Sequence, residues 1–83
     1  MSNIWNLYLS PYTVASIRHG GVLLTHLLND KEVLIRPKSG QLRQLWERMN
    51  QGGNEAFWRK TLQLAENCDS NDLEFFIQKG YLE

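Results

Sequence analysis

The sequence has little cysteine, no excess of either charge and no long apolar run, and each absence excludes a class of protein. The single cysteine, Cys68, excludes an intramolecular disulfide framework and is typical of a reducing compartment. Lys plus Arg and Asp plus Glu number 9 each, so the chain lacks the overall basicity that drives non-specific nucleic-acid binding. No stretch approaches the roughly 20 apolar residues of a membrane-spanning helix. Because no basic residue precedes the apolar residues 4–9, we expect no signal peptide and a cytoplasmic protein.

The length of the chain, 83 residues, predicts a single small domain over residues 1–83. A chain of this size buries only about 60% of the surface that its unfolded form exposes, so its core is thin. We therefore expect that an elaborate enclosed active site would need help from a partner.

The first half of the chain carries the residue types of β-strands. Residues 12–18, 22–28 and 32–36 are rich in β-branched, aromatic and leucine side chains, and His19–Gly21 and Asn29–Lys31 separate them as turns. Three strands joined by two tight turns predict an antiparallel meander. The middle strand is apolar on both faces, and its flanking turn residues favour a strand over a helix. The earlier residues 4–9 fit either a short strand or a segment that crosses the core.

The second half of the chain predicts three short helices. Ser39 is expected to cap the first helix, Asn54 the second, and Asp69 or Ser70 the third. Apolar side chains recur at helical spacing in each helix; they are Leu42, Leu45, Trp46 and Met49, then Phe57, Trp58, Thr61, Leu62 and Ala65, then Leu73, Phe76, Ile77 and Gly80. Strands followed by helices predict an α+β, winged-helix-like fold.

The sequence shows no arrangement of residues that is typical of catalysis or metal binding. His19, His26 and Cys68 lack the close spacing of a zinc site, so we expect structural or solvent-facing roles for them. No Gly-x-Ser-x-Gly motif occurs, and the acidic residues are scattered as on solvated helix faces. We therefore expect a non-catalytic protein without a metal or other cofactor of its own.

Two functions from other classes remain as alternatives. A winged helix-turn-helix would read DNA with an outward-facing helix, but the third helix carries Asp72 and Glu74 against Lys79 alone and would be repelled by phosphates. A small assembly subunit would use the aromatic residues for a flat protein interface. Since a helix cannot bury both Phe75 and Phe76 on one narrow stripe, we expect one of them to line a groove or a partner interface.

The predicted third strand, residues 32–36, has the properties of a sheet edge. It is short, it ends at Pro37, and it is flanked by Lys31, Arg36 and Lys38, features that protect an edge strand against aggregation. The same features suit an acceptor edge for an extended acidic peptide, which would join the sheet through main-chain hydrogen bonds. From the residues alone, an edge that is merely protected carries about equal weight.

The order of these segments resembles the PqqD-like peptide-recognition domains, which bind leader sequences of ribosomally synthesised and post-translationally modified peptides. The resemblance is carried by residues 9–18, 21–24, 32–37 and 73–82, and it spans most of residues 9–82. It implies a leader that binds as an extra strand along the third strand and packs against the third helix. It further implies a modifying enzyme as partner, often a radical SAM enzyme, to which this non-catalytic subunit presents the precursor peptide.

The resemblance implies a peptide-binding site with two walls. The implied acceptor edge consists of Glu32, Val33, Leu34, Ile35 and Arg36. The implied helix-side wall consists of Leu73, Phe76, Ile77, Gly80 and Tyr81. Positive charges that would meet acidic leader residues are Arg36, Lys38 and Lys79. The N-terminal segment with Trp5 and Tyr8 departs from this pattern.

Overall fold

The computed structural model describes residues 6–83, which form two antiparallel sheets and three α-helices. The elements are β1 (Asn6–Leu7), β2 (Thr13–Arg18), β3 (Gly21–His26), β4 (Lys31–Ile35), α1 (Leu42–Gln51), β5 (Gly53–Asn54), α2 (Glu55–Leu62), a 3-10 turn (Ser70–Asp72) and α3 (Leu73–Gln78). The larger sheet has the strand order β2-β3-β4. The predicted α+β class and the predicted antiparallel meander are therefore confirmed.

Two tight turns set the register of the meander. His19 and Gly20 both adopt positive φ, 54° and 75°, as a two-residue hairpin turn requires, and Arg18 pairs with Gly21. Gly21 has to lack a side chain, because a Cβ there would lie 2.7 Å from the carbonyl oxygen of Ile35 in β4. The hairpin thus brings β4 close to the start of β3.

The middle strand is shorter than the sequence predicts. We expected it to reach residue 28, but β3 ends at His26, whose Nδ1 accepts a hydrogen bond from the Asn29 N–H at 3.3 Å. This bond folds the chain into a turn, where Leu27 and Leu28 are 62% and 67% exposed. The predicted third strand is also shifted by one residue, since β4 covers Lys31–Ile35 and Arg36 lies beyond it.

Three helices form where they are predicted, with one wrong cap, but two of them are shorter than predicted. Ala65 lies beyond the end of α2 and Gly80 beyond the end of α3. Ser39 does not cap α1; Gln41 holds that position without a side-chain hydrogen bond. Asn54 caps α2 as predicted, because its Oδ1 accepts the Phe57 N–H at 2.8 Å. Asp69 caps the 3-10 turn that leads into α3. Within residues 6–83, no helix is long and apolar enough to cross a membrane.

One hydrophobic core joins the larger sheet to all three helices. Its sheet side consists of Val22, Leu24 and Ile35, which lie on one face of β3 and β4. The helices and the C-terminal residues contribute Leu45, Met49, Trp58, Leu62, Ala65, Leu73, Phe76, Tyr81 and Leu82. Since this core takes one face of the sheet, the position of α3 beside β4 is set by packing.

The described part of the N-terminal segment, residues 6–9, is both a short strand and a crossing segment. β1 pairs with β5, and Leu9 pairs with Leu82 near the C-terminus. The indole Nε1 of Trp58 donates to the Leu7 carbonyl at 2.8 Å, so this segment satisfies a buried donor of α2. Trp5 lies outside the described residues.

Candidate functional site

One side of strand β4 faces no other strand of the described residues, 6–83. On its inner side, Val33 and Ile35 pair with Leu24 and Val22 of β3. Main-chain groups of successive residues in a strand point to opposite sides, so the N–H and C=O groups of residues 32, 34 and 36 point away from β3. This outer side faces the loop between α2 and α3.

The side chain of Asn67, in that loop, covers part of the outer side. Its Nδ2 donates to the Leu34 carbonyl at 2.7 Å, and its Oδ1 accepts the Arg36 N–H at 2.9 Å. The adjacent Glu66 N–H donates to the Arg36 carbonyl at 2.7 Å. Three groups make no hydrogen bond with the described residues, namely the Glu32 N–H, the Glu32 C=O and the Leu34 N–H. We call these three groups the open edge.

An apolar cavity of about 160 Å³ lies beside the open edge. Its sheet side is formed by Val33 and Ile35, and its helix side by Phe75 and Phe76, whose rings meet edge to face at 5.3 Å between centroids. Asn67, Cys68 and Asp72 complete the lining. Phe76 is 3% exposed and belongs to the core, whereas Phe75 is 43% exposed and forms the outer rim.

A second, more polar hollow continues from this cavity past Asn67, Cys68 and Asp72, which line both. We call it the trough. Its charged side chains are Lys38, Glu66, Asp69 and Asp72, which places three carboxylates against one ammonium group. The cleft between β4 and α3 is therefore apolar at the open edge and acidic beyond Asn67.

The Cys68 thiol lies at the junction of cavity and trough. Burial, together with the nearby carboxylates of Asp72 and Asp69, raises the pKa of Cys68 to about 11. The thiol is thus protonated near neutral pH, and a protonated thiol is a poor nucleophile and metal ligand. Among residues 6–83, no three His, Cys, Asp or Glu side chains are grouped so that they could hold a metal ion.

No protein-family model, curated protein or solved structure matches this chain. The resemblance to PqqD-like domains therefore stays a prediction.

The structure brings the predicted edge residues into the cleft, but it divides the predicted helix-side wall. Val33, Ile35 and Phe76 line the cavity. Leu73 instead is buried in the core, and Ile77 lies on another face, beside Leu7 and Arg59.

The C-terminal members of the predicted wall also lie elsewhere. A Cβ on Gly80 would lie 3.2 Å from the His26 ring, and Tyr81 is buried between His26 and Phe76. Neither residue lines the cavity. Of the predicted stripe of α3, Leu73 and Phe76 face the core, whereas Ile77 is exposed. The side that faces the cleft carries Asp72 and Phe75 next to Phe76.

The predicted positive charges are only partly at the cleft. Lys38 lines the trough, whereas Arg36 and Lys79 line neither the cavity nor the trough. Arg36 takes part through its main chain, which bonds to Asn67 and Glu66.

Sequence reasoning missed Asn67, Cys68 and Asp72 as cleft residues. They lie in a polar stretch more than 30 positions from β4, and no local pattern shows that the stretch returns to the sheet. The adjacent pair Phe75 and Phe76 did indicate part of the cleft, since we expected one of the two rings to line a groove. Both line the cavity.

Proposed function

We propose that this protein binds an extended peptide in the cleft between β4 and α3, where the peptide adds a fourth strand to the β2-β3-β4 sheet. We call this ligand the guest peptide. The observation that carries the proposal is the juxtaposition of the open edge with the apolar cavity. Main-chain groups of the edge supply affinity that is independent of sequence, and the cavity supplies selectivity, as in other cases of strand addition.

The cavity is of a suitable size for one apolar side chain of the guest peptide. Enclosed apolar cavities of about 150 Å³ take up benzene, and this cavity has about 160 Å³. A guest residue whose side chain points to the core face of the sheet would lie between Val33 and Phe75. Burying a leucine or phenylalanine side chain there contributes about 1.5–3 kcal/mol.

The charge of the trough favours a guest peptide with a basic residue at the Asn67 end of the cleft. The trough places the carboxylates of Glu66, Asp69 and Asp72 together at this end. The raised pKa of the Cys68 thiol agrees with their negative charge, since Asp72 and Asp69 add to the main effect of burial. Lys38 is the single cation among the trough residues. This preference is opposite to the acidic leader that the sequence led us to expect, because Arg36 and Lys79 do not line the cleft.

The biological guest that agrees with the resemblance is the leader of a ribosomally synthesised precursor peptide. In that role the protein is a cytoplasmic, non-catalytic subunit that presents the leader to a modifying enzyme, such as a radical SAM enzyme, and carries no cofactor itself. The support for this identity is the resemblance of the sequence, whereas the support for peptide binding is the cleft.

A selection with randomised short peptides displayed on phage tests the proposal without knowledge of the natural guest. Leu34→Pro serves as the counter-selection variant, because it removes a donor of the open edge and leaves the hydrogen bonds between β3 and β4 in place. We expect enriched peptides to bind the wild type in a saturable manner, as measured by fluorescence anisotropy, and to bind Leu34→Pro about tenfold more weakly. Equal binding to both proteins contradicts strand addition, and salt-sensitive binding to a DNA duplex alone favours the winged helix-turn-helix.

The same selection tests the charge preference with a matched pair of variants. Glu66→Lys reverses one charge of the trough. Glu74→Lys makes the same change in α3, on a face outside the trough. We expect basic residues among the peptides that bind the wild type and Glu74→Lys, and fewer of them with Glu66→Lys. Enrichment of acidic residues with the wild type would contradict the preference but leave strand addition intact.

A second candidate, an assembly subunit, is favoured by exposed apolar residues on the turn between β3 and β4. Leu27 and Leu28 lie there, and Tyr12 nearby is half exposed. Sedimentation of the purified protein distinguishes this candidate, because a stable oligomer that Leu27→Ser with Leu28→Ser disrupts would support it.

A further inference from the structure

The amide of Asn67 contacts β4 in the way a neighbouring strand would. One amide group donates to the Leu34 carbonyl and accepts from the Arg36 N–H, at 2.7 Å and 2.9 Å. These two main-chain groups point to the same side and are separated by one residue, Ile35, whose own groups face β3. The Asn67 side chain thus takes the place of one residue of a fourth strand, whose own N–H and C=O would point to the same side.

The loop that carries Asn67 is fixed to the chain after β4 by two further hydrogen bonds of its main chain. The Glu66 N–H donates to the Arg36 carbonyl and the Lys38 N–H donates to the Leu64 carbonyl, each at 2.7 Å, and together they form the antiparallel bridge between Pro37 and Ala65. A side chain held on a fixed loop is costly to displace, because its two partners on β4 would have to be satisfied again by the incoming chain. The arrangement therefore closes the Leu34 carbonyl and the main chain of Arg36 against a guest strand and leaves the open edge available.

We propose that Asn67 ends the acceptor edge and thereby sets the register of the guest peptide, which pairs with Glu32 and the Leu34 N–H and turns away from the sheet at Asn67. This inference rests on the proposed peptide-binding function. It assigns Asn67 as a specificity-determining residue. A guest residue opposite Glu32 exchanges two hydrogen bonds with it. The N–H of the guest residue two positions nearer Asn67, opposite Leu34, has no free acceptor, because the Leu34 carbonyl is already bonded to Asn67.

The test is an N-methyl scan of the tightest-binding library peptide, since methylation of one main-chain nitrogen removes one ladder donor. With the wild type, we expect methylation of the guest residue opposite Glu32 to weaken binding by about two- to tenfold. Methylation of the guest residue two positions nearer Asn67 should have no effect. With Asn67→Ala, which frees the Leu34 carbonyl and the Arg36 N–H, that second position should become sensitive by a similar factor.

Two control variants separate a role in register from a structural role. Asn67→Asp keeps an acceptor for the Arg36 N–H but frees the Leu34 carbonyl, so it should also expose the second sensitive position. Asn50→Ala removes an asparagine side chain that bonds only within α1, to the Trp46 carbonyl, and should leave the wild-type pattern of the scan unchanged. A merely structural role of Asn67 would alter the affinity of every peptide by the same factor and leave the pattern unchanged.

Amide hydrogen exchange of the free protein gives an independent readout if Asn67→Ala folds poorly. We expect the Arg36 N–H to be protected and the Leu34 N–H to exchange quickly, and peptide binding to protect Leu34 while leaving Arg36 as it was. If the second methylated position already matters with the wild type, the guest displaces Asn67 and the inference is overturned, although strand addition stands. If no methylated position matters and Leu34 gains no protection, the proposed function itself fails.

Discussion

The two edges of the larger sheet are closed by different side chains, and the difference shows which edge is suited to a guest strand. At β2, the indole Nε1 of Trp46 in α1 approaches the Ala15 carbonyl at 3.5 Å, a long contact to a single acceptor. At β4, Asn67 satisfies one acceptor and one donor at short distances. Only the second contact has the two-bond pattern of a neighbouring strand, and only beside it do Val33, Ile35 and Phe75 line a common cavity.

This comparison indicates that an edge is defined by what lies next to it as well as by its own residues. β2 and β4 have similar lengths and both carry β-branched residues. β4 becomes the candidate acceptor because α3 stands away from it far enough to leave a cavity, whereas α1 packs against β2.

Proline substitutions at successive positions of β4 should separate folding from binding. Val33→Pro removes a donor that pairs with β3 and should lower the free energy of unfolding by at least about 2 kcal/mol. Leu34→Pro removes a donor of the open edge and should lower it much less, while peptide affinity falls. Thermal unfolding followed by circular dichroism measures the first effect. Similar losses of stability in the two variants would show that the outer side of β4 is not open.

Truncation of Phe75 should weaken peptide binding with little effect on folding. Its ring is 43% exposed and forms the rim of the cavity, so Phe75→Ala should reduce affinity about tenfold and change stability by less than about 1 kcal/mol. Ile77→Ala is the matched control, because Ile77 is 40% exposed on another face of the same helix. Titration with the library peptide distinguishes them. Loss of affinity in Ile77→Ala alone would support the helix-side wall first expected from the sequence.

Replacement of Trp46 should affect only the β2 edge. Trp46→Phe keeps an aromatic ring in α1 but removes the N–H that approaches the Ala15 carbonyl, so stability should fall by about 1 kcal/mol or less. Peptide affinity should be unchanged, since Trp46 does not line the cleft. Urea unfolding and the peptide titration measure the two quantities. A clear loss of peptide affinity would place the guest strand at β2.

The smallest effect on stability that we expect comes from the titration of Cys68, which lies on the β4 side of the molecule. The folded protein holds the thiol proton up to a pKa of about 11, above the ordinary value of 9.0, so its contribution to stability is present below about pH 9 and is lost as the pH rises through about 11. Alkylation by iodoacetamide, followed by mass spectrometry, should accelerate over this range and be slowed by bound peptide. Cys68→Ala should lack the corresponding loss of stability. Rapid alkylation at pH 7 of the folded protein would contradict a buried thiol in a negative environment.

Much of the fold could be predicted from local patterns, and most of the cleft could not. The turn at His19, the cap of α2 at Asn54, the apolar stripes of α1 and α2, and the meander all follow from interactions between residues close in the chain. The length of β3 could not be predicted, because it depends on a hydrogen bond from the Asn29 N–H to the His26 ring. Likewise, the periodicity of α3 identified its core-facing stripe but not the rotation that brings Phe75 to the cavity.

Residue types and short-range periodicity along the chain specify the order of strands and helices and most of the hydrophobic core, and the single cysteine excludes a disulfide framework. Which part of β4 stays open depends instead on tertiary contacts, because Asn67 reaches Leu34 and Arg36 across 33 and 31 positions. The sign of charge in the cleft was decided in the same way, since Glu66, Asp69 and Asp72 meet the outer side of β4 only when the loop between α2 and α3 packs against the sheet.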